Sequence, residues 1–290
     1  MLHVPTSLLE AILAEDAPCG DLTTRSLGLC GQEARISFAA RMPQVVACSE
    51  VAAALFRHVG GNVSFSAHSG QWAGAGDTIL QAEGPADALF LAWKQAQTLM
   101  EWAGGLASDA REIVQAARAV RPDVVVACTR KAPPTMRGLA IRSVMAGGAV
   151  MHRANLSETV LVFPEHRLFL PADGIPDVAR LRQSLPERKI VVEVTSVDEA
   201  IAFLDARPDI LQLEKFSLQD VAALKVWLDG LAQDRPVPLL AVAGAVRPDN
   251  AADYVRAGAT ILVTSYPYSA KPRDIQVKIR PLSLLGSAEG

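Results

Sequence analysis

Between Cys128 and Arg167 the chain reads CTRKAPPTMRGLAIRSVMAGGAVMHRANLSETVLVFPEHR, dense in arginine, lysine and histidine inside a protein of formal net charge -3. Guanidinium forks bind carboxylate or phosphate in bidentate fashion, while lysine and protonated histidine add charge without that planarity. Arg130-Lys131 and His152-Arg153 are therefore candidate anion ligands. The first pair follows the apolar run Val124–Ala127, so it should leave the carboxyl end of a buried parallel strand, where open α/β sheets and barrels place their ligands. The expectation is a pocket for a multiply anionic small molecule.

Two carboxylates have the matching placement. Glu193 follows Val191-Val192 and Glu214 follows Leu211-Gln212-Leu213, near strand ends, where they suit Mg²⁺ or ribose hydroxyls. Gly244-Ala-Val-Arg247 and Thr264-Ser265 follow the last two strands, the region where barrels bind phosphate through loop N–H groups and helix amino termini. Gly74-Ala-Gly76 precedes a strand rather than a helix and reads as a turn. Cys128 reads as core, and His3, His58 and His68 have no ligand spacing, so neither a thiol nucleophile nor a zinc site is expected.

The elements that must position these residues follow from periodicity. Ser7-Leu-Leu-Glu10 reads as a capping box opening a first helix. Arg35–Ala40, Gln44–Cys48, Val63–His68 and Thr78–Glu83 have strand-like patterns separated by glycine turns. Asp87 to Val120 is helix-forming, with Gly104-Gly105 predicting an elbow between two helices. Short apolar strands at Val124–Ala127, Ile190–Val194, Ile210–Leu213, Leu239–Val242 and Ile261–Val263 then alternate with helical segments at Val197–Leu204, Leu218–Leu231 and Asn250–Ala257. That alternation is the βα pattern of a parallel sheet or barrel, and a barrel best gathers the strand-end polar residues at one mouth.

Bulk properties narrow the classes. A chain of 290 residues with 50% apolar composition can bury a sizeable core. A pI near 6.0 and 5% aromatics argue against a nucleic-acid surface. The four cysteines form no CxxC pair and suit a reducing cytoplasm, and no uncharged apolar stretch reaches the roughly 18 residues a membrane span needs.

The motifs carry a family resemblance over nearly the whole chain. EDAPCGDLTTR at Glu15–Arg25, WKQAQTLMEWAGGLAS at Trp93–Ser108, TRK at Thr129–Lys131, AGGAVMHR at Ala146–Arg153, SETVLVFPEHRLF at Ser157–Phe169 and the closing YSAKPRDIQVKI are similar to the quinolinate phosphoribosyltransferase family (nicotinate-nucleotide pyrophosphorylase, carboxylating). Within it they resemble the ModD branch, associated with molybdenum transport. The resemblance implies an amino-terminal α/β sandwich plus an open parallel α/β barrel, over residues 1–104 with 271–290 and over 105–270. It implies a cytoplasmic homodimer or higher oligomer with shared active sites, binding neither nucleic acid nor membrane. It also implies a Mg²⁺-dependent reaction of NAD biosynthesis type between phosphoribosyl pyrophosphate and a small anionic heterocycle.

Carried onto this sequence, Arg130, His152 and Arg153 would hold the acceptor anion and Lys131 would neutralise pyrophosphate. Glu193 and Glu214 would bind ribose hydroxyls or metal, and Gly244, Thr264 and Ser265 the 5′-phosphate. Lys94, Phe163, Glu214 and Ala243 depart from the quinolinate enzymes, where an arginine, a lysine, an aspartate and a serine are expected. The phenylalanine removes a carboxylate partner and adds apolar surface, so an altered acceptor site is expected. The alternative expectation is a non-catalytic anion-binding or accessory protein in molybdenum uptake.

Overall fold

A computed structural model describes residues 3–170, 175–231 and 236–284. Contacts divide the chain into two compact units, one of Met1–Asp109, Gly138–Gly148 and Ser269–Gly290, the other of Ala110–Arg137 and Ala149–Tyr268.

The chain opens with α1 (Thr6–Asp16), α2 (Leu22–Ser26), β1 (Glu33–Ala40), β2 (Gln44–Val45), α3 (Ser49–His58), β3 (Asn62–Ser66), β4 (Trp72–Ala73), β5 (Thr78–Pro85) and α4 (Ala86–Arg118). It continues through β6 (Val125–Cys128), α5 (Arg137–Ala146), β7 (Val150–Met151), β8 (Val160–Val162), α6 (Pro164–Arg167), α7 (Val178–Ser184) and β9 (Ile190–Val194). The last elements are α8 (Val197–Ala202), β10 (Ile210–Glu214), α9 (Leu218–Leu231), β11 (Leu239–Ala243), α10 (Ala251–Arg256), β12 (Ile261–Thr264) and β13 (Ile275–Pro281).

In the first unit β13, β1, β5 and β3 form an antiparallel sheet in that order, and β2 pairs with β4. Along β1 alternate residues are buried, Ile36 and Phe38 completely, as a sheet with one face on a core requires. Phe38 meets Phe56 of α3 edge to face, with ring centroids 5.7 Å apart.

Two sequence expectations fail in this unit. The capping box at Ser7 does not form, because α1 starts at Thr6 behind an extended Pro5 with no side-chain cap, leaving Ser7 and Glu10 inside the helix. The elbow at Gly104-Gly105 is also absent, since α4 runs unbroken for 33 residues. These glycines answer close approach instead of a bend. A Cβ on Gly104 would sit 2.5 Å from Gln44 Oε1, and one on Gly105 2.5 Å from the Lys271 carbonyl oxygen. Gln44–Cys48 also shortens to a two-residue strand, because Cys48 turns left-handed (φ 56) to start α3.

The second unit holds a seven-stranded sheet in the order β7-β6-β12-β11-β10-β9-β8, parallel throughout. The edge strands β7 and β8 share no ladder, so the barrel is open. β9 is buried at every position, the near-continuous apolar run of a parallel strand covered on both faces. On the inner face Gln212 is in register with Glu193 and Ala241, and Glu214 with Ala243. Ala241, Ala243 and Val263 cluster there with Ile210 and Ile261, and these small side chains leave room above them for a cavity.

Gly105→Ala tests the close approach. Helix propensity alone favours alanine by about 1 kcal/mol, but the backbone oxygen of Lys271 cannot rotate aside, and overpacking of this kind costs about 1–3 kcal/mol. Urea unfolding of G105A is expected to show net destabilisation, and a more stable variant would refute the close contact.

Candidate active site

Each strand of the open barrel delivers its last residues to one cavity of about 980 Å³. At the end of β6 the Thr129 N–H donates to the Thr264 carbonyl at 2.9 Å, and the Tyr268 hydroxyl donates to the Thr129 carbonyl at 2.7 Å. The peptide that carries Arg130 and Lys131 into the cavity is thereby pinned from two sides. The β6–β7 ladder extends one step further through His152 N–H to the Cys128 carbonyl, 2.9 Å, which turns His152 and Arg153 to the same mouth.

Opposite them along the sheet stand Glu193 on β9 and Glu214 on β10, both lining the cavity. Between lie the ends of β11 and β12. Ala243 closes β11, and Gly244 (φ 84) and Ala245 (φ 61) then turn left-handed in succession. Glycine is needed at 244, since a Cβ would lie 2.8 Å from Lys215 Cγ and 3.1 Å from Glu214 Oε1. Asn250 ties the following loop: its Nδ2 donates to the Ala245 carbonyl at 2.9 Å, and its Oδ1 accepts from Arg247 N–H at 2.8 Å. The Thr264 hydroxyl donates to the Val246 carbonyl at 2.8 Å and accepts from Tyr266 N–H at 3.0 Å, so Thr264 braces the loop while Ser265 beside it faces the cavity.

Burial and like charges dominate the electrostatics of the site. Arg153 is 6% exposed. Desolvation, then the neighbouring Arg130 charge, lowers its pKa. Among the described residues no carboxylate pairs with Arg130, Lys131 or Arg153. His152 is also pushed down, by burial and then by Arg153. Its protonated form is therefore disfavoured, against the protonated cation expected from sequence.

On the acid side Glu193 is 9% exposed. Its pKa is raised by burial, with the charge of Glu214 adding to the shift. Gln212, 5% exposed, donates through Nε2 to Glu193 Oε2 at 2.5 Å and holds that carboxylate in place. Cys128 is buried at the β6 end with its thiol pushed up to about 12 by desolvation, which makes it a poor nucleophile at neutral pH.

Phe163 follows β8 and lines the cavity. Its N–H donates to His166 Nδ1 at 2.9 Å, and its ring stacks on His166 with centroids 5.6 Å apart. Lys94 belongs to the first unit. It is exposed on α4, its ammonium 3.2 Å from Gln97 Oε1 and 4.6 Å from the centre of the Trp93 ring, and it is not among the residues that line this cavity.

Gln212, Glu165, Thr195 and Tyr266 also line the cavity and had no role in the sequence reading. Gln212 had a signal, since it is polar within the otherwise apolar ILQLE strand and shares its face with Glu214. Lys215, with a left-handed backbone (φ 58), lines the cavity beside Gly244.

Comparison with known proteins places this geometry. Residues 21–104 match the quinolinate phosphoribosyl transferase N-terminal domain, and residues 106–278 the C-terminal domain of the same family. The ModD protein of Rhodobacter capsulatus, which carries the name pyrophosphorylase, is 46% identical over 259 residues, covering 89% of this chain and 98% of its own. A Methanocaldococcus jannaschii protein named nicotinate-nucleotide pyrophosphorylase (carboxylating) is 27% identical, covering 94% and 96%. The crystal structure of nicotinate-nucleotide pyrophosphorylase from Ehrlichia chaffeensis superposes with a TM-score of 0.86 at 22% identity, covering 97% of this chain and 100% of that one, a likeness of fold. The chain belongs to the quinolinate phosphoribosyltransferase family and is an enzyme of its pyrophosphorylase, or pentosyltransferase, type.

Proposed function

We propose that the cavity binds phosphoribosyl pyrophosphate with Mg²⁺ and transfers the ribosyl phosphate to a ring nitrogen of an anionic heterocycle. The observation that carries this reading is the division of charge around one mouth: unpaired cations at the ends of β6 and β7, carboxylates at the ends of β9 and β10, and a turned backbone loop between them. A substrate with both phosphates and ribose hydroxyls complements that division, and a simple anion does not. Together with pyrophosphorylase relatives this favours turnover over a purely binding role in molybdenum uptake.

Arg130 and Arg153 orient the acceptor anion, with His152 beside them. Lys131 neutralises pyrophosphate as it departs, and the Gly244 loop with Ser265 seats the 5′-phosphate, while Thr264, expected from sequence to share that seat, braces the loop. Glu193 and Glu214 hold the ribose hydroxyls or the metal. Positioning and charge stabilisation of an oxocarbenium-like transition state supply the catalysis, and no protein nucleophile is needed.

Among the described residues no cluster of three or more His, Cys, Asp or Glu side chains could hold a metal ion. Glu193 and Glu214 nevertheless fit Mg²⁺, which is usually bound by one or two carboxylates together with substrate phosphates and water. When bound, Mg²⁺ would offset the charge building on pyrophosphate. Lys94 is kept as a substrate-binding residue on the family resemblance, which also implies a homodimer in which a basic residue of one copy reaches the site of the other. Among the described residues no helix is long and apolar enough to cross a membrane, and the free state of Cys19, Cys30, Cys48 and Cys128 suits a cytoplasmic setting.

Arg153→Ala is expected to reduce kcat/KM for pyrophosphate release by about 10²–10³, the loss typical of one electrostatic stabiliser. The melting temperature should change little, because the lost contact with the Phe163 ring is offset by removing a cation whose ionised form burial and Arg130 disfavour. Wild-type rates in purified R153A would remove Arg153 from the mechanism.

Glu193→Gln tests the acid side through stability. The folded pKa of Glu193 lies above its unfolded value, so ionisation costs stability as pH rises through the folded pKa, while below the unfolded value the penalty is absent. Metal-free E193Q should therefore melt higher than wild type at pH 7–8. The gain should vanish below about pH 4. A gain that persists unchanged in acid would contradict the assignment.

A further inference from the structure

The transferase reading leaves the chemistry of the acceptor open, and the seam of the barrel bears on it. β7 and β8 are the two unpaired edges of the sheet, yet the side chains that follow them meet. The Arg153 guanidinium carbon lies 5.7 Å from the centre of the Phe163 ring, within the roughly 6 Å at which a cation is attracted to an aromatic face. An arginine stacked in this way keeps its N–H edge available for a carboxylate. Arg130 stands close enough to lower the Arg153 pKa by charge repulsion, a repulsion that an anion between the two would relieve.

Phe163 is a fixed wall. Its backbone N–H and its ring are both engaged by His166. Besides Arg153, the carboxylates of Glu165 and Glu193 line the cavity, of which Glu165 helps to raise the Glu193 pKa, and the Arg167 guanidinium is paired with Glu199. The acceptor end thus offers a cationic edge, Arg130 and Arg153, that adjoins an aromatic surface, with carboxylates also lining the cavity.

We infer that the acceptor is a planar heteroaromatic acid with a single carboxylate, which meets Arg130 and Arg153, and with an uncharged opposite edge lying against Phe163. This rests on the proposed phosphoribosyl transfer. A second ionised carboxylate would be desolvated against the ring and would add negative charge to a cavity that Glu165 and Glu193 already line. In the transfer the ring-nitrogen lone pair forms the bond to the anomeric carbon, while the bond from that carbon to the pyrophosphate oxygen breaks with its electron pair on pyrophosphate. Nothing leaves the acceptor, so the product keeps its carboxylate and no carbon dioxide is released.

The test compares pyridine-3-carboxylate with pyridine-2,3-dicarboxylate on the full-length wild-type protein, by calorimetric binding of each acid and by pyrophosphate release with phosphoribosyl pyrophosphate and Mg²⁺. The monocarboxylate is expected to bind and react at least about tenfold better. Phe163→Lys should reverse the order, and Phe163→Leu should weaken binding but keep it. Equal or tighter binding of the dicarboxylate by wild type, or binding of neither acid, overturns the inference. Binding in the expected order with no pyrophosphate release from either acid would uphold the acceptor class and count against the transferase reading.

Discussion

The strands of the second unit keep opposite charges apart. Arg130 leaves β6 and Glu214 ends β10, with β12 and β11 between them. Three strand spacings are about 14 Å along the sheet. At that separation a pair of unit charges attracts by only about 0.3–1.2 kcal/mol for effective dielectric constants between 80 and 20, too little to draw long side chains into an internal salt bridge. Arg130 and Glu214 therefore remain unneutralised by each other, and a ligand carrying phosphates at one end and hydroxyls at the other can engage both. The small inner-face residues Ala241, Ala243 and Val263 keep the space between them open.

Holding charges this way works against folding. Arg153 is buried beside another guanidinium, and Glu193 is buried near a second carboxylate, so each has its ionised form disfavoured. Local devices resist relaxation of the site. Tyr268 and Thr264 fix the peptide before Arg130, Gln212 fixes Glu193, and Asn250 with Thr264 fixes the loop after Gly244. The Phe163 ring lies under Arg153 and spans the one place where the sheet has no ladder. Each device costs the chain little, because it uses backbone groups or a neutral side chain to hold a charged one.

Much of this was legible in the sequence because parallel strands are written as apolar runs whose first polar residue marks the mouth. Ile190–Val194 and its neighbours show that pattern, and Glu193, Glu214, Gly244 and Thr264 lie at their ends in the structure. What was hidden depends on contacts distant in the chain. Gly104-Gly105 reads as a break, yet stays helical because Gln44 and Lys271 press against it. The lowered pKa of His152 depends on burial beside Arg153, and the meeting of Arg153 with Phe163 on how the two sheet edges approach each other. No local pattern encodes those distances.

The central claim is that separated cations and carboxylates form one seat for a phosphorylated ribose. Calorimetric titration of the wild-type protein with phosphoribosyl pyrophosphate in the presence of Mg²⁺ tests it most directly. Saturable binding in the micromolar range that weakens steeply on Lys131→Ala is the predicted result, and no detectable binding at millimolar ligand would contradict it.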